Sequence, residues 1–164
     1  MRIVTWNCNM AFRRKCHLIL EHNPDIAIIQ ECEDPRHHGH WHDFTDHAWI
    51  GENPNKGLGI FVRNGFCLEP AGSDLHFYGD FAATVRLLTI QGLGSAYHLV
   101  HHCDFGNEPY ATFYMHRRKD RPYHIDYVFV PRKKFPELVE FQLGVYDEWA
   151  GASDHMPIIL EISL

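Results

Sequence analysis

Along this 164-residue chain, apolar and polar positions recur at both strand and helix periods, which predicts a mixed α/β domain with strands outnumbering helices. Met1–Cys8 alternates, with Ile3, Thr5 and Asn7 on one face and Val4, Trp6 and Cys8 on the other, and predicts a strand. Ala11–His22 sets Phe12, Cys16, Ile19 and Leu20 at helical spacing with Arg13, Arg14 and Lys15 mostly outward, and Asn23-Pro24 ends that helix. Asp25–Gln30 is a short continuous apolar run, the pattern of a strand buried on both faces. Strand, helix and strand joined by short connections predict a βαβ unit with a right-handed crossover. Further on, Ala48–Ile50 and Leu58–Val62 predict short strands around the Gly51–Gly57 turn, and Phe66–Leu68 another. Phe81–Gln91 has helical periodicity and stops at Gly92. Thr112–Met115 and Tyr123–Val130 predict a hairpin around the basic turn Arg117–Pro122, and Leu138–Val145 and Met156–Leu164 complete the strands. Glu69–Phe81 follows no pattern. Without repeats or low-complexity linkers, residues 1–164 read as a single domain.

The polar exceptions to this pattern carry the chemistry. If the first two strands are parallel neighbours, their carboxyl ends share one edge of the sheet, where open α/β sheets build their sites. Asn7 stands near the end of the first strand, and Glu31 directly follows the second. Before the last apolar strand stand Ser153, Asp154 and His155. These read either as turn formers, with Gly151 and Pro157 around them, or as a catalytic His at a strand end.

Composition narrows the classes. Hydrophobic residues make up 45% and charged residues 22%, ordinary for a soluble globular protein. No apolar run approaches the roughly 20 residues that span a bilayer, so no membrane partner is expected. The start MRIVTWNCNM does not read as a signal peptide, and the expected location is cytoplasmic. Five cysteines without Cys-x-x-Cys spacing argue against a disulfide framework or a structural zinc site. A net charge of −6 argues against tight non-specific nucleic-acid binding. Yet ten of the 15 Lys and Arg residues fall in Arg13–Lys15, Arg117–Arg121 and Arg132–Lys134, local positive faces that suit phosphate. The loop 33–46 holds His37, His38, His40 and His42, a set that can take zinc or nickel but lacks any organising spacing, so it reads as a surface loop.

Five segments taken together resemble the endonuclease/exonuclease/phosphatase (DNase I-like) superfamily: TWNCN at Thr5–Asn9, IIQECE at Ile28–Glu33, GLGIFV at Gly57–Val62, HIDYVFV at His124–Val130 and SDHMP at Ser153–Pro157. They occur in the family's order and span nearly the whole chain. The resemblance implies a two-sheet α/β sandwich and cleavage of phosphate esters with Mg²⁺ or Mn²⁺. It implies Glu31 as the principal metal ligand, with Asn7 and Asn9 at the metal's waters or the scissile phosphate. It further implies His155 at the phosphate oxygen or attacking water, Asp126 holding the His155 imidazole, and Asp154 supporting the metal's water shell. Arg117 and Arg118 are expected to meet a nucleic-acid or other phosphate-ester substrate.

The chain departs from the family pattern in its middle. The family's GDFN-type segment, whose Asp activates the attacking water, is matched only by Gly79-Asp80-Phe81-Ala82, with Ala where Asn is expected. Only 22 residues separate Gly57 from Asp80, too few for the strands and helix usual there, so the sandwich is expected to be truncated. A truncated sheet leaves an unpaired edge, which favours dimerisation. A metal-dependent phosphodiesterase or nuclease is the leading expectation. The rivals are a shortened, catalytically inactive relative that binds phosphate ligands or a partner protein, and a His-loop metal binder.

Overall fold

The computed structural model describes residues 1–37, 43–69 and 81–163. Asp80 and the histidines His38, His40 and His42 lie outside these.

A six-stranded sheet organises the chain: β1 (Arg2–Asn7), β2 (Ile26–Cys32), β3 (Asp46–Asn53), β4 (Lys56–Val62), β9 (Leu138–Leu143) and β10 (Ile158–Ile162), in the spatial order β3-β4-β2-β1-β10-β9. β1 and β2 are parallel, as the short crossover predicts, and every other neighbour pair is antiparallel. Alternation along β1 sends Val4, Trp6 and Cys8 into one core with Ala27, Ile29, Phe61 and Ile159. That face is covered by the 3₁₀ turn Phe12–Arg14, α1 (Cys16–Leu20) and α4 (Tyr146–Trp149). The other face packs Ile158, Leu160 and Ile162 against Ala96 and Val130. Its cover is the ribbon of β5 (Leu93–Ser95) and β8 (Phe129–Pro131) together with α3 (Ala96–His101). The run Ile158–Leu160 is therefore apolar because it is buried on both faces, while Glu161, at the far end of β10, is part-exposed and paired with Arg2. Each fully buried Ile or Leu in the run contributes about 1.5–3 kcal/mol over an exposed one.

The second layer is slight. Among the described residues it consists of the β5–β8 ribbon and a second ribbon of β6 (Phe113–Tyr114) and β7 (Pro122–Tyr123). α2 (Phe81–Ile90) lies beyond it with no buried residue. Among the described residues no helix is long and apolar enough to cross a membrane.

Three expectations need correction. The helix expected over Ala11–His22 is a 3₁₀ turn and a short α-helix separated at Lys15. Its start is displaced because Asn9, Met10 and Ala11 adopt left-handed φ of 52°, 63° and 52°. The strand expected over Tyr123–Val130 exists only at its two ends, β7 and β8. Between them, the amides of Ile125 and Asp126 both donate to Thr112 Oγ1 at 3.0 Å, leaving no ladder to extend. Phe66–Leu68 is loop, with the Leu68 amide held by the Asp46 carboxylate at 2.9 Å.

Candidate active site

The parallel β1–β2 pair ends at one edge, and the antiparallel β10 begins at the same edge. Asn7 lies opposite Gln30, and Thr5 opposite Ile158, so Asn7, Glu31 and His155 are neighbours by sheet register alone. The segment Ser153–His155 is fixed to β1 from both sides. Ser153, fully buried, donates through Oγ to the Asn7 carbonyl at 2.7 Å and accepts the His155 amide at 3.1 Å. The Trp6 indole N–H donates to the His155 carbonyl at 2.9 Å. Lys15 binds the loops before and after from inside, donating to the carbonyls of Cys8 at 2.6 Å and Ala152 at 2.7 Å. So the turn residues and the strand-end His are the same feature: Ser153 makes the turn that presents His155.

Asp126 reaches this point from the irregular segment between β7 and β8. Its carboxylate accepts from His155 Nδ1, with Oδ2 at 2.8 Å and Oδ1 at 3.0 Å. Thr112 aligns the two partners. Its hydroxyl holds the Asp126 amide, and its carbonyl accepts the Met156 amide at 2.7 Å. Phe113 is bridged to His155 and lies against its ring at 4.6 Å. Burial alone would lower the His155 pKa. The hydrogen bond and charge of Asp126, then the charges of Asp154 and Glu31, outweigh burial, and the pKa is raised. A small pocket of about 180 Å³ opens beside the pair, lined by Thr5, Asn7, Gln30 and Asp126 among others.

Glu31 sits at a bulge where the β2–β4 register shifts between Gln30 and Cys32, with φ 55°. For a non-glycine residue that conformation costs about 1–3 kcal/mol and is concentrated at functional sites. Its Oε1 is 3.0 Å from Lys56 Nζ. Asn7 accepts the Asn9 amide at 3.1 Å, and Asn9 Nδ2 donates to Asp154 Oδ1 at 3.0 Å, so both asparagines and Asp154 belong to one hydrogen-bonded turn.

A divalent cation at Glu31 would find oxygen donors in that carboxylate, with the Asp154 carboxylate and the side-chain oxygen of Asn9 on the neighbouring turn. Mg²⁺ is commonly held by one or two carboxylates and completed by water and substrate phosphate, and this set fits that pattern. No group of three His, Cys, Asp or Glu side chains among the described residues forms an all-protein cage.

The basic residues fall elsewhere. Arg117 donates to the carbonyls of Gly151 at 3.1 Å and Ala152 at 3.5 Å, bracing the loop before Ser153. Arg118 is exposed and paired with Asp120 at 2.8 Å, and does not line the small pocket beside Asp126. A larger cleft of about 660 Å³, walled by Tyr114, Phe141 and Tyr146, contains none of the expected site residues. Cys8 and Cys32 are buried, and burial pushes the Cys8 thiol up to about 12, so neither is a nucleophile. Sequence reading missed Trp6, Thr112 and Lys56 and gave Ser153 no role of its own. Of these, only Ser153 and Trp6 were signalled, by lying inside the quoted segments.

No family model matches the sequence, and no curated protein matches it. Solved structures do. A 3′-5′ exonuclease from Neisseria meningitidis superposes with a TM-score of 0.68, and a Neisseria 3′ phosphatase bound to a product DNA hairpin with 0.67. An AP endonuclease from Archaeoglobus fulgidus gives 0.71. Each is 15% identical to this chain, and each alignment covers 100% of both chains. At that identity the likeness establishes the fold: the chain has the DNase I-like α/β fold of the endonuclease/exonuclease/phosphatase proteins.

Proposed function

We infer that the protein is a divalent-metal-dependent phosphoesterase acting on nucleic acid, with the hydrogen-bonded His155–Asp126 pair at the sheet edge as the observation that carries the reading. The solved neighbours, described as nucleases and a phosphatase on DNA, support the substrate class. The conditions for phosphoryl chemistry are charge stabilisation and positioning rather than covalent participation by the protein. Asp126 fixes the His155 ring through Nδ1 and favours the imidazolium, which leaves Nε2 to donate to a phosphate oxygen on which charge builds. Asn7, its carbonyl oxygen spent on Asn9, presents its amide N–H groups as further donors to the phosphate. Mg²⁺ or Mn²⁺ would be held by Glu31, with Asn9 and Asp154 supporting its water shell, and would supply Lewis-acid stabilisation of a phosphoryl oxygen. Asp80 is the residue that the resemblance assigns to activation of the in-line attacking water. The alternative of an inactive binder does not call for so many constraints on one imidazole, whose ring, amide and carbonyl are each held by a different residue.

The test is hydrolysis of a generic phosphodiester by the full chain with Mg²⁺ or Mn²⁺, with chelator, and in the Glu31→Ala variant. Turnover that needs the metal and is lost with Glu31 is expected. Full turnover in Glu31→Ala, or in chelator, overturns the reading.

A further inference from the structure

This inference rests on the metal requirement argued above and deepens it. The carboxylate best placed to hold a divalent cation, Glu31, is met by a cation from its own chain, Lys56 Nζ at 3.0 Å. The encounter follows from the backbone. Asn53 pairs with Lys56 across the two-residue turn joining β3 to β4, and Asn53 Oδ1 accepts the Asn55 amide at 3.0 Å. The next residue, Gly57, pairs with Cys32 just beyond the bulge. The tight turn therefore delivers Lys56 to the strand end that carries Glu31, and the bulge turns the carboxylate towards it. Their side chains are 52% and 27% exposed, so this pair is neither buried nor required by the core.

We propose that Lys56 is an internal competitor for the Glu31 carboxylate, so that a divalent metal ion binds the site only by displacing the Lys56 ammonium. Binding is then an exchange: the Glu31–Lys56 pair opens, the ammonium is hydrated, and the metal takes the carboxylate. The apparent dissociation constant exceeds the intrinsic one by the factor by which the paired state must first be depopulated. A half-exposed ion pair makes that factor modest, and the positive charge of Lys56 acts in the same direction by repelling the cation. The arrangement keeps the Glu31 charge balanced when no metal is bound.

The experiment is Mn²⁺ binding to the full chain, measured by calorimetry and by the electron paramagnetic resonance of free Mn²⁺, for the parent, Lys56→Met and Lys56→Arg. Lys56→Met is expected to bind Mn²⁺ about 2–5-fold more tightly than the parent, and Lys56→Arg no more tightly than the parent. A parent that binds Mn²⁺ with Lys56→Met unchanged or weaker overturns the competition and leaves the metal requirement standing. Absence of Mn²⁺ binding in both overturns the metal requirement and the competition with it. In the parent protein, acylation of the Lys56 amine followed by mass spectrometry gives a second reading. Mn²⁺ or the Glu31→Gln substitution should each speed its modification several-fold, and an unchanged rate in both overturns the proposal.

Discussion

The His155 half of the site and the Glu31 half share one sheet edge but differ in cover. On the His155 side, β10 is buried on both faces, and the His155 and Asp126 side chains are only 13% and 24% exposed. On the Glu31 side, the sheet runs out towards β4 and β3, where Leu58 is 37% and Ile50 75% exposed. The same kind of contact, a carboxylate against a cationic nitrogen at about 3 Å, therefore has different consequences. Beside Asp126 the imidazole is mostly shielded, where the Lys56 ammonium is half-exposed, and the pair is hydrogen-bonded with its backbone supports satisfied, so loss of one partner strands the other. Beside Glu31 the pair is solvated and worth at most about 1 kcal/mol, so it can open and exchange. One half of the site is a fixed fitting and the other is an exchangeable contact.

The comparison breaks first at Asp126. Asp126→Asn should cut turnover by about 10²-fold or more, because His155 loses the group that orients and charges it. With the carboxylate gone, burial is opposed only by the charges of Asp154 and Glu31, and the His155 pKa should fall. A folded-state pKa raised above the unfolded one gives stability that is complete below about pH 6.5 and is lost as pH rises through the folded value. The melting-temperature gap between parent and Asp126→Asn should thus be wide at about pH 6 and narrow at high pH. NMR titration of the His155 ring checks the direction, and a ring pKa unmoved by the substitution contradicts it.

Thr112 is the next most sensitive point. Thr112→Val keeps the shape but removes the acceptor for two amides, with an expected loss of roughly 2 kcal/mol in urea unfolding, while Thr112→Ser stays near the parent. A Val variant as stable as the parent would mean that Asp126 is held by something other than this hydroxyl. At the small end, Arg118→Ala removes an exposed pair with Asp120 and should leave the urea midpoint close to the parent's and change cleavage of a short diester by less than about twofold. A large loss of cleavage would assign Arg118 to the substrate after all.

The legible parts of the molecule are those where one physical signal dominates. Ile26–Ile29 and Ile158–Leu160 are apolar because both faces of the sheet are covered, and a continuous run reports that directly. From those two strands and the alternation of β1, the convergence of Asn7, Glu31 and His155 follows from topology alone. Tyr123–Val130 misled because alternation reports which side chains face an apolar surface and not where the amides go. There a hydroxyl 13 and 14 residues upstream takes two of them. Ala11–His22 misled for a related reason: the Glu33 carboxylate takes the amides of Phe12 and Arg13, which moves the helix start. Lys56 was invisible because its partner lies 25 positions away and is brought to it by a hairpin and a bulge, neither of which leaves a periodic trace.

The most direct test of the central claim is cleavage of a fluorescent oligonucleotide with Mg²⁺ or Mn²⁺ by the parent and by His155→Ala, both shown to be folded by circular dichroism. The account predicts metal-dependent cleavage by the parent and a loss of about 10²–10⁴-fold in the variant. Equal cleavage by both, or none by a folded parent, would contradict it.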